Sequence, residues 1–387
     1  MQQTVVAADD GNHCDSMPAH LPWLRQDADM TALADLGITV GPFASGPTSS
    51  VLDVPGVGLG HATVVYDEAA PPTGRGLART GVTVLDPGGD VWAAPIPAGV
   101  AVLNGAGELT GRTQIDEWGL VETPIFLTST MQVGRVYDAA ARLLMVEQPR
   151  IGVDDFIIPV VGECDDSWLN EARFMHVTED HVRGALAQAR SSIGAAHAPP
   201  QGAVGAGTGM SCFGWKGGIG TASRVLPDGH VVGVLLLTNF GQWDRLTMAG
   251  VPVGLSLGMP AHLQPPRAGS CIGVVITDAP LDHHSCARLA SRVGLGLART
   301  GSTAHHGSGE IFLALATGLR GPRGEIPTVQ PLGGRALDDY FGAVVDASEE
   351  AVYSSLLAAK TTVGLRGREI EALPVDRVRR LLTRADG

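Results

Sequence analysis

Three uninterrupted apolar runs constrain this chain more than any other feature. They fall at 231–238 (VVGVLLLT), 272–277 (IGVVIT) and 310–317 (EIFLALAT). A strand with one wet face alternates polar and apolar residues, whereas a continuous run marks a strand covered on both faces. Elsewhere the period changes. Over 133–147, Val136, Ala139, Ala140, Leu143 and Leu144 recur at helical spacing, and Pro149 stops the pattern. Further helices are predicted over 181–191, 283–299, 337–359 and 375–382. Shorter strands are predicted over 58–65, 81–85, 91–94, 98–103 and 156–161, with Pro95 and Pro97 breaking the run that starts at Val91. Doubly covered strands with helices between them favour a layered α/β architecture.

A chain of 387 residues can bury a core without disulfides or a structural metal. Its 52 glycines have no three-residue period, so they point to tight turns and close backbone contacts rather than to a fibre. The 27 basic and 40 acidic side chains leave a net charge of −13, which argues against nucleic acid or an acidic membrane as partner. Five cysteines, Cys14, Cys164, Cys212, Cys271 and Cys286, form no CxxC pair, and an odd number cannot all pair internally. They read as reduced thiols of a cytoplasmic protein. The start has early acids and no signal-like apolar stretch, and the longest apolar strings are far too short to span a membrane. The expected organisation is an N-terminal extension over 1–34, with a short helical piece near 21–24, and a single catalytic domain over 35–387.

Metal and phosphate chemistry find little support. There is no HExxH, and the adjacent pairs His283-His284 and His305-His306 point in different directions on any regular element. GAGTG at 205–209 lacks the GK[ST] ending of a phosphate loop and reads as a backbone turn. A second glycine block at 217–224 (GGIGTASR) could present backbone N–H groups, without indicating to what.

Taken together, several weak segments resemble one family. DVPGVGLGH at 53–61, GVTVLDP at 81–87 and PAGVAVLNGAGELTG at 97–111 come first. ETPI at 122–125, VGE at 161–163, GAGTGM at 205–210 and WKGGIGTASR at 215–224 follow. TNFG at 238–241, Gly269-Ser270, TDAPL at 277–281 and SGEIF at 308–312 close the series. Their order and spacing resemble the self-processing aminopeptidases of the DmpA type, which include L-aminopeptidase/D-amidases and β-peptidyl aminopeptidases. The resemblance implies a four-layer α-β-β-α sandwich, shared with the ornithine acetyltransferases and similar to N-terminal-nucleophile hydrolases. It also implies cleavage of the chain's own Gly269–Ser270 bond. In that reading Pro265 and Pro266 restrict the approach, and Gly269 supplies an unusual backbone conformation. The freed Ser270 is then nucleophile through Oγ and base through its α-amine.

By the same resemblance Ser308 and Glu310 support the nucleophile. If they share a strand, they face the same side. Asn239, at the end of an apolar strand, matches the oxyanion donor, and Glu163 matches the acid that receives the substrate's ammonium group. Two positions depart from the pattern. Asp165 stands where an aromatic residue is usual, and Ser129 where asparagine is usual. If the strand carrying Glu163 continues, Asp165 shares its face and adds negative potential as a second substrate-binding acid.

The implied function is hydrolysis of amide or ester bonds next to an unblocked amino terminus, in small peptides, amino-acid amides or esters. No cofactor is needed, and homo-oligomers of processed fragment pairs, tetramers among them, are expected. Three alternatives stay open: an endo-amidase of linear oligoamides, an acyltransferase-like relative, and a degenerate member that only binds ligands.

Overall fold

The computed structural model describes residues 33–261, 269–325 and 328–385. The short helix expected near 21–24 and the pair Pro265-Pro266 lie outside the described residues. In chain order come β1 (Gly58–Asp67), β2 (Leu77–Asp86), β3 (Ile96–Gly105), α1 (Arg112–Trp118), β4 (Leu120–Val121), β5 (Ile125–Ser129), α2 (Val133–Glu147), β6 (Val160–Cys164) and α3 (Glu179–Ser191). A short hairpin, β7 (Ser211–Cys212) and β8 (Trp215–Lys216), leads into β9 (Ile219–Val225) and β10 (Val231–Asn239). Then follow α4 (Val253–Leu257), β11 (Ser270–Thr277), α5 (His283–Arg299), β12 (Gly309–Ala316) and α6 (Leu337–Leu357). The strand pair β13 (Thr362–Val363) and β14 (Glu369–Ile370) and helix α7 (Val375–Ala385) close the described chain.

Two sheets stack face to face. One has the order β1-β2-β5-β6, the other β4-β3-β12-β11-β10-β9. Parallel neighbours need a long crossover, and helices supply it: α2 joins β5 to β6, and α5 joins β11 to β12. The three apolar runs are the central strands β10, β11 and β12. Their alternate residues Leu235, Leu237, Ile272, Val274, Ile276, Ile311, Leu313 and Leu315 fill the space between the sheets. Residues of the opposite parity, such as Val234, Leu236, Val275 and Phe312, pack on α5 and α6. Val82, Val84, Phe126 and Val161 of the first sheet pack on α2 and α3. Helices, sheet, sheet, helices: this is the four-layer sandwich. Each fully buried Leu, Ile or Val contributes about 1.5–3 kcal/mol, so three strands buried on both faces hold the centre of the molecule. Arg224, on β9, is buried and pairs with Glu350 of α6 at 2.7 Å, tying the outer helix layer to its sheet.

The helical periods are accurate: α2 buries Val136, Ala139, Ala140, Leu143 and Leu144. Three strand expectations fail. Residues 91–94 form a turn, because Asp90 accepts from Ala93 N and Ala94 N closes on the Asp90 carbonyl. Pro97 does not break β3, which already begins at Ile96. Pro97 sits near the start of β3 opposite Leu120 of the two-residue strand β4, where a missing N–H is tolerated. The strand expected over 156–161 is shifted to Val160–Cys164. Phe156 is about half exposed, its ring against that of Trp118. Apolar composition alone cannot tell a strand from the approach to it.

Candidate active site

Strand register gathers the site. Ser270, the first residue of β11, lies opposite Asn239 on the antiparallel side and opposite Gly309 on the parallel side. Each central strand is pinned by its inward-facing apolar set, and a slip of one residue would turn every such side chain over. Ser270 shares the parity of Ile272 and Ile276, and Asn239 that of Leu235 and Leu237. Both therefore face the space between the sheets. Ser270 is nearly buried, and Cys164 of β6 lies beside its hydroxyl. Burial pushes the Cys164 thiol far up, so it stays protonated and does not compete as a nucleophile.

The bond before Ser270 is held. Gly309 N donates to the Gly269 carbonyl oxygen at 3.2 Å. The reason for glycine here differs from the one expected. Gly269 is outside the left-handed region. Instead, a Cβ at this position would lie 2.7 Å from the Asn239 carbonyl oxygen and 3.0 Å from Phe240 Cα. Gly269→Ala should therefore displace the carbonyl from Ser270 and slow any cleavage of the Gly269–Ser270 bond by about tenfold or more, since an ångström of misplacement costs up to about a hundredfold. A time course of fragment formation measures this.

Asn239 is fixed at both ends of its carboxamide. Oδ1 accepts from Ser211 N at 3.0 Å, and Nδ2 donates to the Asp165 carbonyl at 2.8 Å. Among the described residues no acceptor meets its second Nδ2–H. Ser308 lies just outside β12, in a turn closed by Ser308 N donating to the His305 carbonyl. Its Oγ donates to Glu310 Oε1, so the two side chains meet although only Glu310 is in the strand. Glu310 Oε2 is buried and without a hydrogen-bond partner among the described residues. Burial raises the Glu310 pKa above the ordinary glutamate value, against the bond from Ser308.

Glu163 is buried near the end of β6. Oε1 accepts from Glu108 N at 2.9 Å, and Oε2 accepts from Thr130 Oγ1. Gly107 lies close to both this carboxylate and β12: a Cβ on it would lie 3.1 Å from Glu163 Oε1 and 3.5 Å from Gly309 Cα. Burial raises the Glu163 pKa, chiefly against the bond from Thr130, and the nearby charges of Asp165 and Glu108 add to the rise.

Asp165 is a correction. β6 ends at Cys164, so the two acids do not share a strand face. The chain turns there, with Leu169 N and Asn170 N donating to the Asp166 carbonyl. The exposed Asp165 carboxylate takes both the N–H and the hydroxyl of Ser167, at 2.9 and 2.8 Å. What Asp165 brings to the site is its backbone carbonyl under Asn239. The other departure, Ser129, is buried against Asp166, whose carboxyl is pushed up to about 7 by burial. The glycine turn Gly205–Gly209 spends its amides internally: Gly205 N donates to Thr63 Oγ1 and Ala206 N to Thr83 Oγ1. That is the backbone role expected of it.

The site also takes in Cys164, Thr130, Ser211 and Gly107, to which the residue order assigns no role there. None carries a signal of its own, since each matters through what the other strands place beside it.

With this arrangement in view, comparison with known proteins is decisive. The profile of peptidase family S58 matches residues 49–370. The chain belongs to that family. It is 37% identical to the beta-peptidyl aminopeptidase BapA of Sphingosinicella microcystinivorans over 371 residues, 90% of this chain and 91% of that one. Among solved structures, a Burkholderia sp. beta-aminopeptidase superposes with a TM-score of 0.82 at 38% identity, covering 92% of this chain and 99% of that one. The L-aminopeptidase D-Ala-esterase/amidase of Ochrobactrum anthropi, a variant of the Ntn-hydrolase fold, superposes with a TM-score of 0.84 at 34% identity, over 92% and 99% of the two chains. Family and fold together make this S58 chain a hydrolase of the peptidase class.

Proposed function

We propose that the chain is a self-processing serine aminopeptidase that hydrolyses amide or ester bonds next to an unblocked amino terminus. One observation carries this reading: Ser270 stands at the start of a rigid central strand with Asn239 as one neighbour, Gly309 as the other, and Gly107 close to both Gly309 and a buried acid, Glu163.

In the first reaction Ser270 Oγ adds to the Gly269 carbonyl carbon. Glu310, acting through Ser308, takes the hydroxyl proton. Burial raises its pKa above the ordinary glutamate value, which makes it a stronger base than an exposed carboxylate. The Gly269–Ser270 C–N bond breaks with a proton delivered to nitrogen, leaving an ester on Oγ and a free α-amine. Water hydrolyses the ester to the Gly269 carboxylate and restores the hydroxyl. In each later turnover the α-amine of Ser270 accepts the Oγ proton as Oγ adds to the substrate carbonyl, Asn239 Nδ2 donates to the oxyanion, the C–N bond breaks as the proton passes to the leaving amine, and water then hydrolyses the acyl ester to release the carboxylate and restore the Oγ hydroxyl. Glu163 holds the substrate's ammonium group. An N-terminal α-amine titrates near about 7.7–8.0, so activity rises with pH as it loses its proton. Selective acetylation of that amine should abolish turnover in a chromogenic amino-acid amide assay. Full activity after complete acetylation would exclude the amine as base. The reading extends to a cytoplasmic enzyme working as a homo-oligomer of fragment pairs.

A further inference from the structure

The chain has 27 Lys and Arg residues, and only Lys216 and Lys360 are lysines. Lys216 has no exposed surface. Its Nζ donates to three main-chain carbonyls: Met210 at 2.6 Å, Gly217 at 2.8 Å and Gly207 at 3.0 Å. Among the described residues no carboxylate pairs with it. An ammonium can set one nitrogen against three carbonyl oxygens, which a planar guanidinium cannot. Burial pulls its pKa down to about 7, while three acceptors are satisfied only by the protonated form. A buried cation without a counter-charge is costly, and a well-packed apolar side chain would serve bare stability better.

The position of the carbonyls suggests what the cost is for. The carbonyl of Met210 and the N–H of Ser211 are two ends of one planar peptide group. Lys216 holds the oxygen end, and the nitrogen end donates to Asn239 Oδ1 at 3.0 Å. The Asn239 carboxamide in turn carries the Nδ2–H groups, one of them committed to Asp165. Ammonium, peptide and carboxamide thus form a chain in which each acceptor's partner is the next donor. A cation at the head of such a chain polarises every amide along it and makes the last N–H a stronger donor. Carbonyls from Gly207 and Gly217 keep the ammonium in place, because they belong to the turns on either side of the β7-β8 hairpin.

We infer that Lys216 is a positioning residue for catalysis, which orients and polarises the oxyanion donor Asn239 through the Met210–Ser211 peptide without touching substrate. This rests on Asn239 serving as the oxyanion donor proposed above. The test is a double-mutant cycle on fully processed enzyme with an unblocked amino-acid p-nitroanilide, with thermal melting of each variant recorded. Asn239→Ala alone should lower kcat by about a hundredfold or more. Lys216→Met alone should lower kcat by about ten- to a hundredfold with KM within about twofold, because only the transition state carries the oxyanion. In the Asn239→Ala background, Lys216→Met should change kcat by less than about twofold. An additive loss in that background, or a rise in KM with kcat unchanged, overturns the inference. Where Lys216→Met does not fold, Lys216→Arg keeps the charge but not the three-carbonyl seat and is read through the same cycle. If neither folds, Lys216 is a stability element and the inference fails. An unaltered kcat in Asn239→Ala itself defeats the oxyanion assignment, and that result is distinct from an additive cycle.

Discussion

Replacing Ser270 by alanine should leave a single chain of full length, whereas the wild-type protein should resolve into fragments of residues 1–269 and 270–387. Turnover should fall by at least about 10⁴-fold, since loss of a nucleophile leaves only binding and oxyanion stabilisation. Every residue of β11 is buried, and the strand lies between β10, on the first fragment, and β12, on the second. Cutting before Ser270 therefore breaks one peptide bond but removes no core contact. The fragments should co-elute under native conditions and separate only in denaturant. Intact mass under denaturing conditions reads the scissile bond directly. A wild-type chain that stays whole and still turns over substrate would remove Ser270 from its role.

Glu163→Gln should lower kcat/KM for free-amine substrates by about 30- to 1,000-fold, the cost of leaving one partner of a desolvated charge pair alone. Matched N-acetylated substrates should be poor in wild type and no worse in the variant. Self-cleavage involves no substrate ammonium group and should proceed at the wild-type rate. The pH profile carries a separate signature. Glu163 must be ionised to hold the ammonium, and its pKa is raised by burial. The acid side of the kcat/KM profile should thus lie above the ordinary glutamate range, with affinity lost as pH falls through the raised value. In Glu163→Gln that limb should vanish, leaving the rise due to the α-amine. Equal handling of free and acetylated substrates by the wild-type enzyme, unchanged by the substitution, would move an endo-amidase role ahead.

Glu163 and Asp165 show where sequence reasoning reaches and where it stops. That a buried acid follows an apolar strand is visible in the residue order, because strand burial is a local pattern. Whether the strand continues for one more residue decides on which side Asp165 points. That is settled by a turn in which Ser167, Leu169 and Asn170 collect the acceptors of Asp165 and Asp166. No apolar period announces such a turn. Gly269 teaches the same lesson. Glycine before Ser270 is legible, but the reason is a collision with the Asn239 carbonyl, 30 positions earlier in the chain.

The sequence by itself determined the layered architecture, the helices α2, α5 and α6, the three central strands and the residue types able to act: a serine opening a strand, an asparagine ending one, and acids beside apolar runs. These depend on hydrophobic periods of two and 3.6, which are written locally. Only the tertiary structure decided that Ser270 has Asn239 and Gly309 as neighbours, that Gly107 lies close to both Glu163 and β12, and that Lys216 sits beneath the Met210–Ser211 peptide. Those facts depend on register between strands and on the approach of one sheet to the other. Both are fixed by the summed packing of distant side chains, which no single segment contains.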